Sequence, residues 1–454
     1  MRSVSCLLSC FLLASVGIGD DVTSIKDQST HEQSGLIQFA QGTTPLKMNA
    51  FCLNNKGQII AVCGNGPGEV RVVNDEGTVL HAWKVSVKPE SVGVADDDSI
   101  LVGGEGKLFR FAADGKLLTE IDSPHAARLR DSREALREEA IANLKRTMTS
   151  SDPLGAAKSR VSSYETMLTQ LKERKQKSQL NESEERLILM LPDLLERYQK
   201  QVDDLNAAAG NLTAEDIAAA DAKRKSGPSE TQIKSQVESM IRTKMRVSSI
   251  SSSGEHVFVT TRGIAGYGFD VWKMNLQFAD ADVIVTGLSG CCGQMDVQCC
   301  KDGLFVAENS RDRVVHYDIE GKEINKWGKS DRTGINGFTS CCNPMNVCFD
   351  NDGFIYTAES GSGRIKRFDA SGKLLAYVGD VDLVPGCKNV SIAVSPVNDK
   401  IYMLDLTRNH IKVMEPKSKQ TGTGEKEQQK QEAKAKTRPI RGDITVRSLD
   451  KDTN

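Results

Sequence analysis

The 454-residue sequence predicts an all-β six-bladed β-propeller with an inserted α-helical hairpin or bundle. Three observations carry this. A unit recurs at a fixed offset, Met345 following Met295 by 50 positions and Gly353 following Gly303 by the same. Within each unit, short β-rich runs alternate with Asp-Gly, Asn-Gly or Ser-Gly turn signals, the pattern of a four-stranded antiparallel meander. Between Pro124 and Met245 the apolar period lengthens from two to about 3.6 and Ala, Glu, Lys, Leu and Arg dominate, which is helical composition.

The clearest unit runs through Cys291-Cys292-Gly293-Gln294-Met295-Asp296-Val297, Asp302-Gly303-Leu304-Phe305-Val306-Ala307-Glu308 and Arg313-Val314-Val315-His316-Tyr317-Asp318. Its partner runs through Cys341-Cys342-Asn343-Pro344-Met345-Asn346-Val347, Asp352-Gly353-Phe354-Ile355-Tyr356-Thr357-Ala358-Glu359 and Arg364-Ile365-Lys366-Arg367-Phe368-Asp369. Fainter copies begin at Met48, Pro89, Met245 and Cys387, giving six units. Sheets of this kind bury their faces only by stacking on one another, so six units predict a closed ring.

These motifs, Pro-x-x-Val, Asp-Gly-x-Ile-Tyr-x-Ala-Glu and Arg-Ile-x-x-Phe-Asp-x-x-Gly-Lys, resemble NHL repeats over roughly 60% of the chain by repeat-based reading. The resemblance implies a propeller and leaves function open. Related propellers serve as protein-binding platforms, lactonases and metal-dependent lyases, so function has to come from the site.

The expected organisation is a signal peptide over 1–19, a lead-in over 20–43, blades 1 and 2 over 44–125, a coiled-coil-like helical insertion over 126–244, blades 3 to 6 over 245–415, and a charged, disordered tail over 416–454. Met1-Arg2-Ser3-Val4 followed by the apolar run Cys6 to Val16 has the shape of a secretory signal, so the protein is expected to be exported, periplasmic or secreted. No segment carries the run of about 18 apolar residues that a spanning helix needs. Ile444 and Val446 are expected to supply the strand that closes the ring. Leu168, Leu171, Leu187, Leu191, Leu194 and Leu195 are expected to form the seam of the helical arm, and Ser229-Glu230-Thr231-Gln232 has capping-box spacing. With 59 Lys and Arg against 61 Asp and Glu, the chain has no electrostatic footprint for nucleic acid.

Aligning the units places Met48, Met245, Met295 and Met345 at one position of the inner strand, with Glu90 and Lys388 in the other two blades. The next position collects Asn49, Ser91, Arg246, Asp296, Asn346 and Asn389. Met48, Asn49, Glu90, Met245, Asp296, Asn346, Cys387 and Asn389 are therefore expected to line the channel. Cys291, Cys292, Met295, Cys341, Cys342 and Met345 form a candidate soft-metal set for copper, zinc or an iron-sulfur cluster. In an oxidising compartment Cys291, Cys292, Cys341 and Cys342 are disulfide candidates, and export favours that reading over metal. A bond within either doubled cysteine is disfavoured, because adjacent Cα atoms about 3.8 Å apart lie below the usual disulfide range, whereas cross-blade bonds avoid that strain.

The sequence contains no Cys-x-x-Cys-His and no Gly-x-Ser-x-Gly elbow. The expected function is a binding protein acting through its channel face and helical arm on a protein partner. A metal or redox protein is the alternative. A divalent-cation-dependent hydrolase resembling six-bladed lactonases, with Glu90, Asp296, Asn346 and Asn49 as oxygen ligands, is the second alternative.

Overall fold

A computed structural model describes residues 29–417 except 39, 42–43, 150–152, 177–179, 181, 211–225, 265, 292, 333 and 340–341. The expected signal peptide, the tail from Ser418 onward, and Cys292 and Cys341 therefore lie outside the described residues. The chain divides into the units Met1–Glu415 and Pro416–Asn454, and the sheets belong to the first except for Pro416, the final residue of the last strand.

Six four-stranded antiparallel sheets are present among the described residues. Their inner strands are Met48–Leu53, Ser91–Val94, Val247–Ser253, Asp296–Cys300, Asn346–Phe349 and Ile392–Val394 for blades 1 to 6. The second strands are the driest, Ile59–Cys63, Ile100–Gly104, Gly303–Glu308 and Ile401–Asp405 each being buried throughout. Outer strands such as Val79–Val85 face water along most of their length.

Each blade-to-blade interface holds one apolar core, six in all: Val62 and Val102 meet between blades 1 and 2, Phe305 and Ile355 between 4 and 5, Met345 and Met403 between 5 and 6. That distribution is why the sheets need one another. Turn glycines tighten the stacking. Gly115 and Gly372 have φ of 91° and 86°, and each turns against a tryptophan of the preceding blade, where an added Cβ would meet Trp83 at 2.6 Å or Trp327 at 2.3 Å.

Closure differs from the expectation. The outer strand of blade 6 is His31–Ile37, from the predicted lead-in, which pairs with His410–Pro416. Ile444 and Val446 lie outside the described residues. Gln33 and Ser34 reach the body of the ring through Asp382 N–H donating to Gln33 Oε1 at 2.9 Å and Ser34 Oγ donating to Val413 O at 3.4 Å. Ile37 enters the core shared by blades 6 and 1.

The insertion between blades 2 and 3 is helical: α1 (Pro124–Asp131), α2 (Arg133–Thr149), α3 (Pro153–Gln176), α4 (Glu182–Gly210) and α5 (Glu230–Lys244). Helices α2 and α5 pack through Ala140, Ile233 and Val237, and α3 and α4 through Ala157, Val161 and Val202. Of the expected leucine seam, Leu171 and Leu191 are buried and Leu195 packs against the second cluster. The capping box forms as the spacing predicts, Gln232 N–H donating to Ser229 Oγ and Ser229 N–H to Gln232 Oε1. Among the described residues no helix is long and apolar enough to cross a membrane.

If the amino-terminal strand belongs to the cooperative ring, Ile37→Ala should cost about 2–5 kcal/mol in urea unfolding, as a buried aliphatic truncation does. A loss near zero would mean that His31–Ile37 does not close the ring.

Candidate functional site

The channel is built from the start of each inner strand. Inner-strand residues line both the channel and the cores between blades, and consecutive residues can share the channel wall, as Asn346 and Val347 do. Asp296, Asn346 and Asn389 line a central cavity of about 190 Å³ together with Ser91, Ser249 and Gln298. Met48, Met295 and Met345, one position earlier, are buried in the inter-blade cores and are not on the cavity wall. The expected thioether ring in the channel is corrected on that ground. Met245 caps the end of α5 and contributes nothing to the cavity wall.

The polar groups at the channel stitch the ring together. Val247 N–H donates to Glu90 Oε2 at 3.0 Å, Val297 N–H to Ser249 Oγ at 3.1 Å, Val347 N–H to Asp296 Oδ2 at 2.9 Å, and Val390 N–H to Asn346 Oδ1 at 3.0 Å. From blade 6 to blade 1 and from blade 1 to blade 2 the side chain donates instead, Asn389 Nδ2 to Asn49 O at 3.1 Å and Asn49 Nδ2 to Pro89 O at 2.8 Å. Every neighbouring pair of blades is thus joined by at least one side-chain-to-backbone bond. Asn49 and Glu90 take part in this stitching and, against the expectation, are not on the cavity wall. Of the oxygen set considered for a divalent cation, Glu90, Asp296 and Asn346 already accept backbone N–H groups through an oxygen, and Asn49 holds Pro89 O through its Nδ2. Asp296 also accepts from Gln298 through Oδ1 at 2.8 Å, so both its oxygens are engaged.

Burial pushes Asp296 and Glu90 above the ordinary carboxylate range, partly offset by the N–H groups they accept. The inner-strand cysteines are poor nucleophiles, burial pushing Cys52 and Cys299 up to about 12. Of the strand histidines, His316 stacks on Phe305 with ring centroids 4.1 Å apart and contacts Asp302 O through Nε2 at 2.8 Å, a packing role.

A second constellation lies in the connections that lead into the inner strands of blades 4, 5 and 6. Cys342 Sγ is 2.7 Å from Cys291 Sγ and 3.1 Å from Cys387 Sγ, bringing together three thiols from three successive connections. Cys342 is fully buried with φ 75°, Cys291 is half-buried, and Cys387 is exposed. Cys387 therefore belongs to this cluster and is not on the cavity wall. The remaining members of the candidate soft-metal set divide: Met345 Sδ already takes the Asn309 amide at 3.6 Å, and Cys292 and Cys341 are outside the described residues. Among the described residues no group of three or more His, Cys, Asp or Glu is arranged to hold a metal ion.

The connections are held by groups to which sequence reading assigned no role. Glu308 and Asp405 end the second strands of blades 4 and 6, Glu359 directly follows that of blade 5, and the three accept the N–H of Ser289 at 3.1 Å, Val384 at 3.2 Å and Thr339 at 2.8 Å respectively. Glu359 is further paired with the buried Lys366 at 3.0 Å. Asn309 Oδ1 accepts the Cys291 N–H at 2.7 Å, and Asn343 Oδ1 accepts the Ser360 N–H at 2.9 Å. The repeated Ala-Glu after Asp-Gly was the available signal.

At the arm root, His125 is buried and contacts Ser123 Oγ through Nδ1 at 2.7 Å, while burial pulls its pKa down to about 4. Lys244, at the other end of the insertion, donates to Gly263 O at 3.0 Å and Gly266 O at 2.7 Å. With Ser123 Oγ donating to Gly106 O at 3.0 Å, both ends of the arm are fixed to the propeller.

A structural Asp296 predicts that Asp296→Ala costs about 1–3 kcal/mol, by leaving buried donors unmet, while Asp296→Asn keeps an acceptor and stays within about 0.5 kcal/mol at pH 7. The native pKa is raised, so the folded state binds more protons than the unfolded one between the ordinary and the raised value. Asp296 therefore adds stability as pH falls through its folded pKa, and Asp296→Asn should lack that increment. Urea melts of both chains at neutral pH and at a mildly acidic pH measure it.

No family model matches the chain, and no curated protein matches it. Among solved structures, a streptogramin B lyase is 11% identical and covers 85% of this chain and 88% of its own, with a TM-score of 0.39. A calcium-binding protein, regucalcin, from Agrobacterium tumefaciens is 11% identical over 84% of this chain and 93% of its own, with a TM-score of 0.43. A gluconolactonase from Xanthomonas campestris is 9% identical over 86% and 97%, with a TM-score of 0.39. Likeness at this level transfers no activity. The architecture rests on the six four-stranded sheets themselves, and by them the chain is a six-bladed β-propeller with a helical insertion.

Proposed function

We propose that this is an exported binding protein of the NHL-repeat type that presents one propeller face to a protein partner. In a ring of antiparallel four-stranded blades, all connections from an outer strand to the next inner strand emerge on the same face. The helical arm and the three thiol-bearing connections are all of this kind, so they share a face. The observation that supports the reading most is on α4, where Leu189 and Met190 are 75% and 59% exposed beside the buried Leu191. Large apolar side chains left in water near the α3–α4 connection, on an element that the ring does not need for closure, fit a contact surface.

A metal or redox reading draws on a different observation, the convergence of Cys291, Cys342 and Cys387. A lactonase reading would require Glu90, Asp296, Asn346 and Asn49 to accommodate a cation in addition to the backbone groups they hold.

The double substitution Leu189→Asp, Met190→Asp should weaken partner retention at least tenfold in affinity capture from the exported fraction, about 1.4 kcal/mol or more, with the melting temperature unchanged. Removing 126–244 should weaken retention to the same degree. An unchanged partner profile for both variants contradicts the reading.

A further inference from the structure

We propose that Cys291, Cys342 and Cys387 form a thiol–disulfide exchange site whose reactant is a disulfide-bonded peptide or small thiol compound, with Cys342 as the shared central sulfur. Four thiolates around zinc, at a Zn–S distance of about 2.3 Å, stand about 3.8 Å from one another. The sulfur separations here, 2.7 and 3.1 Å, are shorter than that and leave no room between the atoms for an ion. Each pair is close enough for one sulfur to attack the other once either is held in a disulfide. A simple staple needs two sulfurs. Here one buried sulfur is within reach of two partners, so two alternative disulfides compete for Cys342.

The surroundings suit exchange. The carboxylates of Glu308, Glu359 and Asp405 fix the three connections independently, and Asn309 anchors Cys291 itself. Cys342 occupies the left-handed backbone region, an unfavourable place for a residue with a Cβ and one that recurs at functional sites. Exposure falls from Cys387 through Cys291 to Cys342, which sets the order of events.

The Cys387 thiolate attacks one sulfur of the reactant disulfide, forming a mixed disulfide and expelling the first thiolate, which takes up a proton. The Cys342 thiolate attacks the Cys387 sulfur, forming Cys342–Cys387 and expelling the second. Cys291 then attacks Cys342, giving Cys291–Cys342 and returning Cys387 as a thiol. The reactant disulfide is reduced by two electrons to two thiols, and two protein thiols are oxidised to one disulfide. This chemistry does not depend on the arm, so failure of partner capture would leave it standing.

The test uses the reduced full chain carrying Cys292→Ser and Cys341→Ser, with one equivalent of the chromogenic disulfide dithiobis(nitrobenzoate). Two equivalents of coloured thiolate should be released with no retained probe, and peptide mapping should find Cys291–Cys342 together with Cys342–Cys387. Cys387→Ser should slow the first release at least tenfold, and Cys342→Ser should release one equivalent and keep the probe on Cys387. Mapping the unsubstituted chain under the same conditions guards against a folding defect in the variants. One equivalent released with a stable adduct in the parent, or no linkage among the three cysteines in either chain, overturns the proposal. So does stoichiometric zinc or Cu(I) that binds the reduced chain and blocks both linkages.

Discussion

The hydrogen bond from the start of one inner strand to the backbone of the next blade is the interaction on which the rest of this molecule depends. Apolar cores between blades supply most of the burial, but they are non-directional and would tolerate small rotations of one sheet against another. Six polar bonds at the channel fix those rotations, because each pairs a side chain of one blade with a backbone group of the following one. Once the inner strands are set, the connections that enter them are set too, and with them the helical arm and the three thiols.

The same bonds separate two regions that the sequence alone presents as one. At the channel wall, carboxylate and amide groups are spent on holding the ring, and the cysteines just inside it are neutral thiols. In the connections above it, Cys342 and its neighbours are braced by a separate set of carboxylates at the ends of the second strands. Structural polarity lies inside and reactive sulfur lies at the rim. The extent to which a partner and a disulfide reactant use that face together follows from placement: both the arm and the thiols come from outer-to-inner connections.

Much of the fold was legible because blades 4 and 5 are near copies, and a 50-residue offset with Asp-Gly turns leaves little choice of architecture. The closing strand was not legible. His31–Ile37 is mostly polar and exposed, so it carries no alternation that marks it as a strand, and its partner lies at the far end of the blades. Repeat alignment brought Asp296, Asn346 and Asn389 to one ring because equivalent positions in stacked sheets converge. It misplaced the methionines because an aligned position does not say which way a side chain turns, and Met48, Met295 and Met345 turn into the cores between blades. The doubled cysteines announced a cross-blade device, but joining Cys387 to it required the geometry of the connection before Ile392–Val394. Asn309, Glu308, Glu359 and Asp405 went unassigned, since a polar residue after a buried strand shows its role only when its partner is seen.

The most direct measurement is native-state amide hydrogen exchange at Val247, Val297, Val347 and Val390. If side-chain stitches hold the ring, these four amides exchange only through global opening and are protected as strongly as the second-strand amides. Exchange at rates close to those of the exposed outer strands would mean that the stitches are not made in solution, and the account of the channel as a structural ring would fall.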